Sequence, residues 1–382
     1  MQEIRALTGL RFLAALYVFI FHLHERHFFN WLPWYAKNIV EEGALGVNVF
    51  FVLSGILLTY SHLKDYDVPV FKGYTYFSTF LFKRFARIYP VLFIGILASL
   101  IISIFLGKFS SATLLIAFSE FTLTNAWFPK YTLNWLGGTW SLSAEMFFYL
   151  SFPFLLPVLL QIRRKNILFI ILISAIILAT LPGLYYSSMA RNIQFDKMLY
   201  GFFYLFPPAR IPEFICGCIT AILIFRHGCR VPTWMAATAS IAGLLYLIKF
   251  GPSLLGHVGH NRFVLPVIIL IVGHLTQSNL SLFFRWLTLD SIVYLGRISY
   301  GFYIWQTVAL ELPDTVWTNN YFHLHKMPIA LLIFSATIIA AIISYHLIEK
   351  PSHKVLLTML RARHTMHSTK KLYSLKQKKI KT

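Results

Sequence analysis

The chain has 382 residues, of which 57% are hydrophobic, 17% aromatic and only 13% charged. A soluble domain carries about 25% charged residues and under 50% apolar ones, so the composition excludes an ordinary soluble globule and points to helices in lipid. The net charge of +20 would suggest nucleic acid in a soluble protein, but Lys and Arg cluster between apolar runs and in the tail, a positive-inside pattern, and no nucleic-acid-binding motif is present.

Apolar runs long enough to span a bilayer fall near residues 5–24, 43–62, 88–107, 138–161, 166–186, 209–226, 232–249, 263–280, 290–312 and 328–349. A further stretch, 110–127, is short and holds Glu120 among Ser, Thr and Asn. With the N-terminus in the cytoplasm and 110–127 not spanning, the basic clusters all fall inside. They are Lys64 to Arg87, Arg163 to Lys165, Arg226 with Arg230, Arg285, and the tail from Lys350 onward. The expectation is therefore an all-α polytopic membrane bundle of about ten transmembrane helices. Both termini are then cytoplasmic, and 110–127 is re-entrant or interfacial. Residues 1–351 form one integral domain and residues 352–382 a basic cytoplasmic tail lying against the inner leaflet. The first run carries Arg11 early and lacks a small-x-small cleavage site, so it reads as an anchor, not a cleaved signal. Cys216 and Cys218 lie inside an apolar run and Cys229 just beyond it, which argues against a disulfide framework.

The polar residues inside these runs carry the functional signal, because an ionisable group in a membrane segment is expensive. In the first run, RALTGLRFLAALYVFIFHLH, Arg11 and His22 are eleven positions apart. At about 100° per residue that spacing returns to within roughly 20° of the same face, and at 1.5 Å per residue it separates them by about 16 Å. Either residue alone could sit at an interface, Arg11 by snorkelling and His22 beside His24 and His27. The second run has a small-residue face, Gly43, Gly46, Ser54 and Gly55, with Asn48 as its one amide. Arg84 and Arg87 in FLFKRFARIYP are helical neighbours that suit lipid phosphates or the phosphates of a cytosolic cofactor.

In GGTWSLSAEMFFYL, Glu145 lies about two turns into the fourth run, on the same half of the membrane as His22 by this count. A carboxylate there needs a partner, with His22 or an arginine as the candidates. A Glu–His pair would orient the imidazole and raise its basicity, as a general base requires. Trp140 lines a site or joins the aromatic belt. Arg210 with Glu213, and Arg297 with Tyr300 and Tyr303, lie near span ends, where anchoring is an equal reading. Glu349, Lys350 and Pro351 read as a helix stop at the inner surface. No G-x-S-x-G elbow, H-E-x-x-H or Cys/His metal cluster, P-loop or G-x-G-x-x-G is present.

Seven stretches, in order, resemble the acyltransferase-3 family of integral membrane O-acyltransferases. They are GLRFLAALYVFIFH, GVNVFFVLSGILLT, KRFARIYP, WSLSAEMFFYLSFP, RIPEFICGCITA, LGRISYGFYIWQ and LIEKP, running from residue 9 to 351. The resemblance implies transfer of an acyl group, usually acetyl, from cytosolic acetyl-CoA or another acyl-CoA to a hydroxyl, often on a cell-envelope glycan or lipid-linked sugar. It implies a bacterial inner membrane location; the lack of a metal-binding motif leads to the expectation of no metal. By position it makes Arg11 and His22 the catalytic pair, Glu145 a site carboxylate, and Arg84 and Arg87 candidates for the CoA phosphates. Trp140 and Tyr303 become substrate-binding candidates. This chain has Gln306 where the family often has His, and it stops shortly after the tenth run. Many relatives continue into an SGNH-type hydrolase domain, so a one-component mechanism or a separate periplasmic partner protein is implied. The competing class is a transporter or flippase of a glycolipid, with Arg11, His22 and Glu145 as a proton relay. Transporters of that kind often carry inverted repeats, and no clear repeat is evident here.

Overall fold

The computed structural model describes residues 3–63, 74–128, 137–190, 197–251, 263–277, 280–310 and 326–360. Several basic positions used for the topology expectation, among them Lys64, Lys72 and the tail beyond residue 360, lie outside the described residues. The described residues are mostly helical, without strands. In chain order the helices are α1 Arg5–Glu25, α2 Trp34–Glu41, α3 Leu45–His62, α4 Tyr74–Phe105 and α5 Ser111–Phe121. They continue as α6 Trp140–Gln161, α7 Lys165–Ala190, α8 Lys197–Tyr200, α9 Pro207–Phe225 and α10 Thr233–Phe250. The last four are α11 Leu265–Leu275, α12 Leu282–Arg285, α13 Asp290–Ala309 and α14 Lys326–Ser344.

Among the described residues, eight helices are long and apolar enough to cross a membrane. They include α1, α3, α4, α6, α7 and α10, together with stretches built on α9 and α14. Two expected spans fall short of those criteria for different reasons. α11 runs 11 residues, and α13, though 20 residues long, is diluted by Asp290, Arg297, Gln306 and several Ser and Thr. α5 also runs only 11 residues, about 16 Å against a hydrocarbon core of about 30 Å. It is opened by a capping box between Ser110 and Thr113.

The expected helix stop at Glu349 is corrected by the structure. A π-turn covers Tyr345–Glu349, and the helix then continues to residue 360. Pro351 offers no N–H, and the widened turn just before it absorbs that missing bond, so the chain continues instead of ending. The first nine residues of the expected tail thus extend the last helix.

Small residues set the packing. A Cβ on Gly55 would collide with the carbonyl of Phe214, and one on Gly217 with the carbonyl of Val52, so α3 and α9 touch backbone to backbone. α1 meets α13 and the turn before it the same way, Gly9 against the Leu287 carbonyl and Gly296 against the Thr8 carbonyl. Phe302 packs edge-on against Phe12 and tilted against Phe19, so these two helices run parallel. The outward faces stay apolar: Phe93, Leu97, Ile101 and Ile104 on α4, and Ile170, Ile173, Ile177 and Leu181 on α7, are all exposed. Such faces suit lipid and no other solvent.

Candidate functional site

α1, α3, α4, α6 and α13 enclose a cavity of about 310 Å³. Arg11, Arg84, Arg87, Glu145, Tyr149 and Tyr303 line it, with Ser54 and Ser141. Glu3, Tyr60 and Ser61 line it at the end where α1 begins and α3 finishes. Leu53, Leu57, Leu58, Phe50 and Phe51 supply an apolar wall from α3.

Helical spacing explains the polar lining. Glu145 and Tyr149 are one turn apart on α6, and the Tyr149 hydroxyl donates to the Glu145 carboxylate. Ser54 on α3 donates to the same oxygen at 3.3 Å. Glu145 is therefore held by two hydroxyls, and His22 does not touch it. On α4, Arg84 and Arg87 are three apart and face the cavity together. The Arg84 guanidinium lies over the rings of Phe80 and Tyr149, at 5.5 and 5.8 Å. Among the described residues, none of Arg11, Arg84 and Arg87 forms a salt bridge with a carboxylate. Three cations thus face a void with one carboxylate, Glu145, near its centre and another, Glu3, at its edge. The arrangement suits a ligand with several anionic groups and a long apolar or amide-like arm.

Away from Glu3, the cavity is bordered by a hydrogen-bonded knot. The Tyr303 hydroxyl donates to the Gly138 carbonyl at 2.9 Å and lies 2.8 Å from the Ser141 hydroxyl. Tyr303 and Ser141 are both buried. His22 lies beyond this knot. Its Nδ1 is 3.0 Å from a Glu25 oxygen, and its ring packs beside Phe21. Because Gly296 meets Thr8, Tyr303 stands level with Ala15 across the parallel pair. His22 is then seven residues further along α1, about 10 Å beyond the knot.

Of the residues singled out in the sequence, the structure gathers Arg11, Arg84, Arg87, Glu145 and Tyr303 around one cavity. It leaves out His22 and Trp140. Trp140 is buried against Phe51 and Tyr204. There it helps box Arg210, whose guanidinium sits 5.2, 5.5 and 4.8 Å from the rings of Phe51, Trp140 and Tyr204. Arg210 is no interfacial anchor: it is fully buried, 3.2 Å from Glu213 and bonded to Asn48 at 3.1 Å. Its i, i+3 spacing to Glu213 within an apolar run was the sequence signal for this pair. Tyr149 and Ser54, the partners of Glu145, were not anticipated, although Tyr149 follows Glu145 by one turn. Among the described residues, no three His, Cys, Asp or Glu side chains converge as a metal site.

A multi-pass helical bundle with a cavity lined by three arginines in its interior defines a membrane protein with a buried polar site. The chain belongs to the acyltransferase domain family, whose model matches residues 4–346, and it is an O-acyltransferase. It is similar to the acyltransferase MdmB of Streptomyces mycarofaciens, with 23% identity and 92% of each chain covered. It is also similar to the peptidoglycan O-acetyltransferase OatA of Listeria monocytogenes, 26% identical over 92% of this chain but only 56% of that protein. No solved structure matches the chain.

Proposed function

We propose that this enzyme moves an acyl group, acetyl in the first instance, from a cytosolic acyl-CoA to a hydroxyl of a cell-envelope or exported glycan, within a bacterial inner membrane. One observation carries the donor half: Arg11, Arg84 and Arg87 face one cavity with no salt-bridge partner among the described residues. Cations left in that state suit phosphate groups, which guanidiniums bind with paired N–H donors. The acetyl group and the glycan find support in the names of relatives such as the Listeria protein, which the chain covers by about half.

On this reading the donor phosphates rest on Arg84 and Arg87, and the pantetheine arm runs along the Leu53–Leu58 wall towards Tyr303. The acceptor hydroxyl approaches from the other side, where His22 removes its proton as general base, its ring oriented by Glu25. The hydroxyl oxygen attacks the thioester carbon, the C–S bond breaks, and CoA leaves as the thiolate that takes up the proton. Arg11 offers positive charge to the oxygen that becomes anionic in the transition state. Tyr303 and Ser141 stand between the donor cavity and His22, so transfer requires their hydrogen-bonded knot to part. A relay through an acyl-histidine is the variant in which His22 itself accepts the acyl group.

The test uses detergent-purified protein and radiolabelled acetyl-CoA, comparing wild type with His22→Ala and Arg87→Ala. We expect slow CoA release or glycan labelling by wild type, none by His22→Ala, and weakened donor binding by Arg87→Ala. Normal product from His22→Ala would remove His22 from the reaction. Neither binding nor turnover by folded wild type would discard the acyl-CoA reading.

A further inference from the structure

At the rim of the cavity, a carboxylate shares the lining with three guanidiniums. The Glu3 side chain lines the mouth, and Arg297 on α13 grips it with two bonds, Nη2 to Oε2 at 2.6 Å and Nε to Oε1 at 3.2 Å. Thr8 donates to Oε1 at 3.1 Å, one turn before Arg11. The Arg297 and Glu3 side chains are 46% and 39% exposed, so solutes reach both. The Arg297 hydrogen bond holds the Glu3 carboxyl below the usual carboxylate range, and Glu3 is an anion at neutral pH.

This pair is not needed to dock α1. Arg5 already donates twice to the Thr288 carbonyl and once to Asp290, and the Gly9 and Gly296 contacts seat α1 on α13. An exposed ion pair adds little to such a seam. What the pair does is occupy a guanidinium fork with a planar anion, the geometry in which arginine also grips a phosphate. Its place is apt. The Tyr300 hydroxyl donates to the Ile88 carbonyl at 2.7 Å, so Tyr300 lies level with Arg87 and Ile88. Arg297 is three residues earlier on α13, about 4.5 Å nearer the mouth.

We propose that Arg297 is a further donor-binding residue that takes the ribose 3′-phosphate of CoA, and that Glu3 is a built-in occupant which that phosphate displaces. The inference rests on the acyl-CoA reading above. Arg84 and Arg87 then serve the diphosphate, deeper in the cavity, and Arg297 reads the third phosphate at the rim. A donor lacking the 3′-phosphate leaves Glu3 in place.

The experiment is titration calorimetry in detergent with CoA and with dephospho-CoA, on wild type, Glu3→Gln, Arg297→Gln and the double variant. Glu3→Gln is expected to bind CoA about three- to fivefold more tightly than wild type, the worth of one exposed ion pair. Its affinity for dephospho-CoA stays unchanged. Arg297→Gln weakens CoA alone, and the double variant behaves as Arg297→Gln does. Equal shifts for CoA and dephospho-CoA would mean a general field effect and overturn the proposal. So would no shift in either variant. If wild type binds CoA but the variants do not discriminate, only the rim assignment fails. If wild type binds neither ligand, the donor reading fails with it.

Discussion

Removing one partner of the buried Arg210–Glu213 pair tests whether that cluster holds the bundle together. Both side chains are fully buried, and Asn48 on α3 bonds Arg210 at 3.1 Å while donating to Glu213 at 3.5 Å. Glu213→Leu leaves the guanidinium without its counter-charge. Breaking a buried pair this way costs about 3–5 kcal/mol. Three aromatic rings and Asn48 remain around the cation, and they recover roughly 1 kcal/mol of that. About 2–4 kcal/mol is left. At roughly 1–2 °C per kcal/mol for a chain of this size, the melting midpoint should fall by about 2–8 °C. The assay is the midpoint at which the monodisperse elution peak is lost after heating in detergent. Arg210→Met with Glu213→Leu removes both charges and should recover most of the loss. A single variant as stable as wild type, or a double variant worse than the single, would refute the reasoning.

Glu42, just past α2, is fully buried, and burial with the nearby Glu41 charge pushes its carboxyl up to about 8. The folded state therefore binds more protons than the unfolded one between the ordinary value of about 4.3 and that raised value, so stability falls as pH rises through this window. Glu42→Gln should melt above wild type at pH 8.5 or so and match it near pH 4.5, with stability followed across that range; parallel curves would sink the argument. Cys216 and Cys218 are buried free thiols and Cys229 is half-buried. Maleimide should modify Cys229 first in folded protein and reach the other two only after denaturation, as mass spectrometry of the labelled peptides will show. Early labelling of Cys216 would contradict the packing of α9.

Much of the fold was legible because lipid leaves so few choices: a long apolar run becomes a helix that satisfies its own backbone. Where the reading slipped, a local residue changed the outcome. Pro351 looked like a stop, yet a π-turn at Tyr345–Glu349 carries the helix past it. Run length was read from hydrophobicity, so α11 came out shorter than its apolar stretch. The candidate site was legible as residue types and as spacing along one helix, but not as contacts between helices. Arg11 and His22 share a face by periodicity, but the rise along the axis keeps them about 16 Å apart. Glu145 was expected to need His22 or an arginine, whereas Tyr149 and Ser54 meet its need for hydrogen bonds. Hydroxyls are too common in a helical run to stand out before the packing is known. Arg210 was read from its place near a span end, and only the neighbouring helices show that it is buried.

The separation of His22 from the cationic cavity bears on why such chemistry belongs in a membrane. A CoA donor carries several phosphate charges, and drawing them into hydrocarbon is costly wherever they lack partners. Arg84 and Arg87 line the cavity from the middle of α4, and the apolar wall of α3 and the Tyr303 knot line the rest of it. On the proposed reading the phosphates stay at the charged end and only a small, neutral acyl group travels further. His22 and Glu25 wait at the opposite end of α1, where a hydroxyl too large or too polar to cross can be met. The knot between the two ends then has a second consequence. Tyr303 holds Gly138 and lies against Ser141 between the cavity and His22. On the proposed reading, a closed knot would shield the thioester from water until an acceptor is in place, which a permanent channel through the bundle could not do.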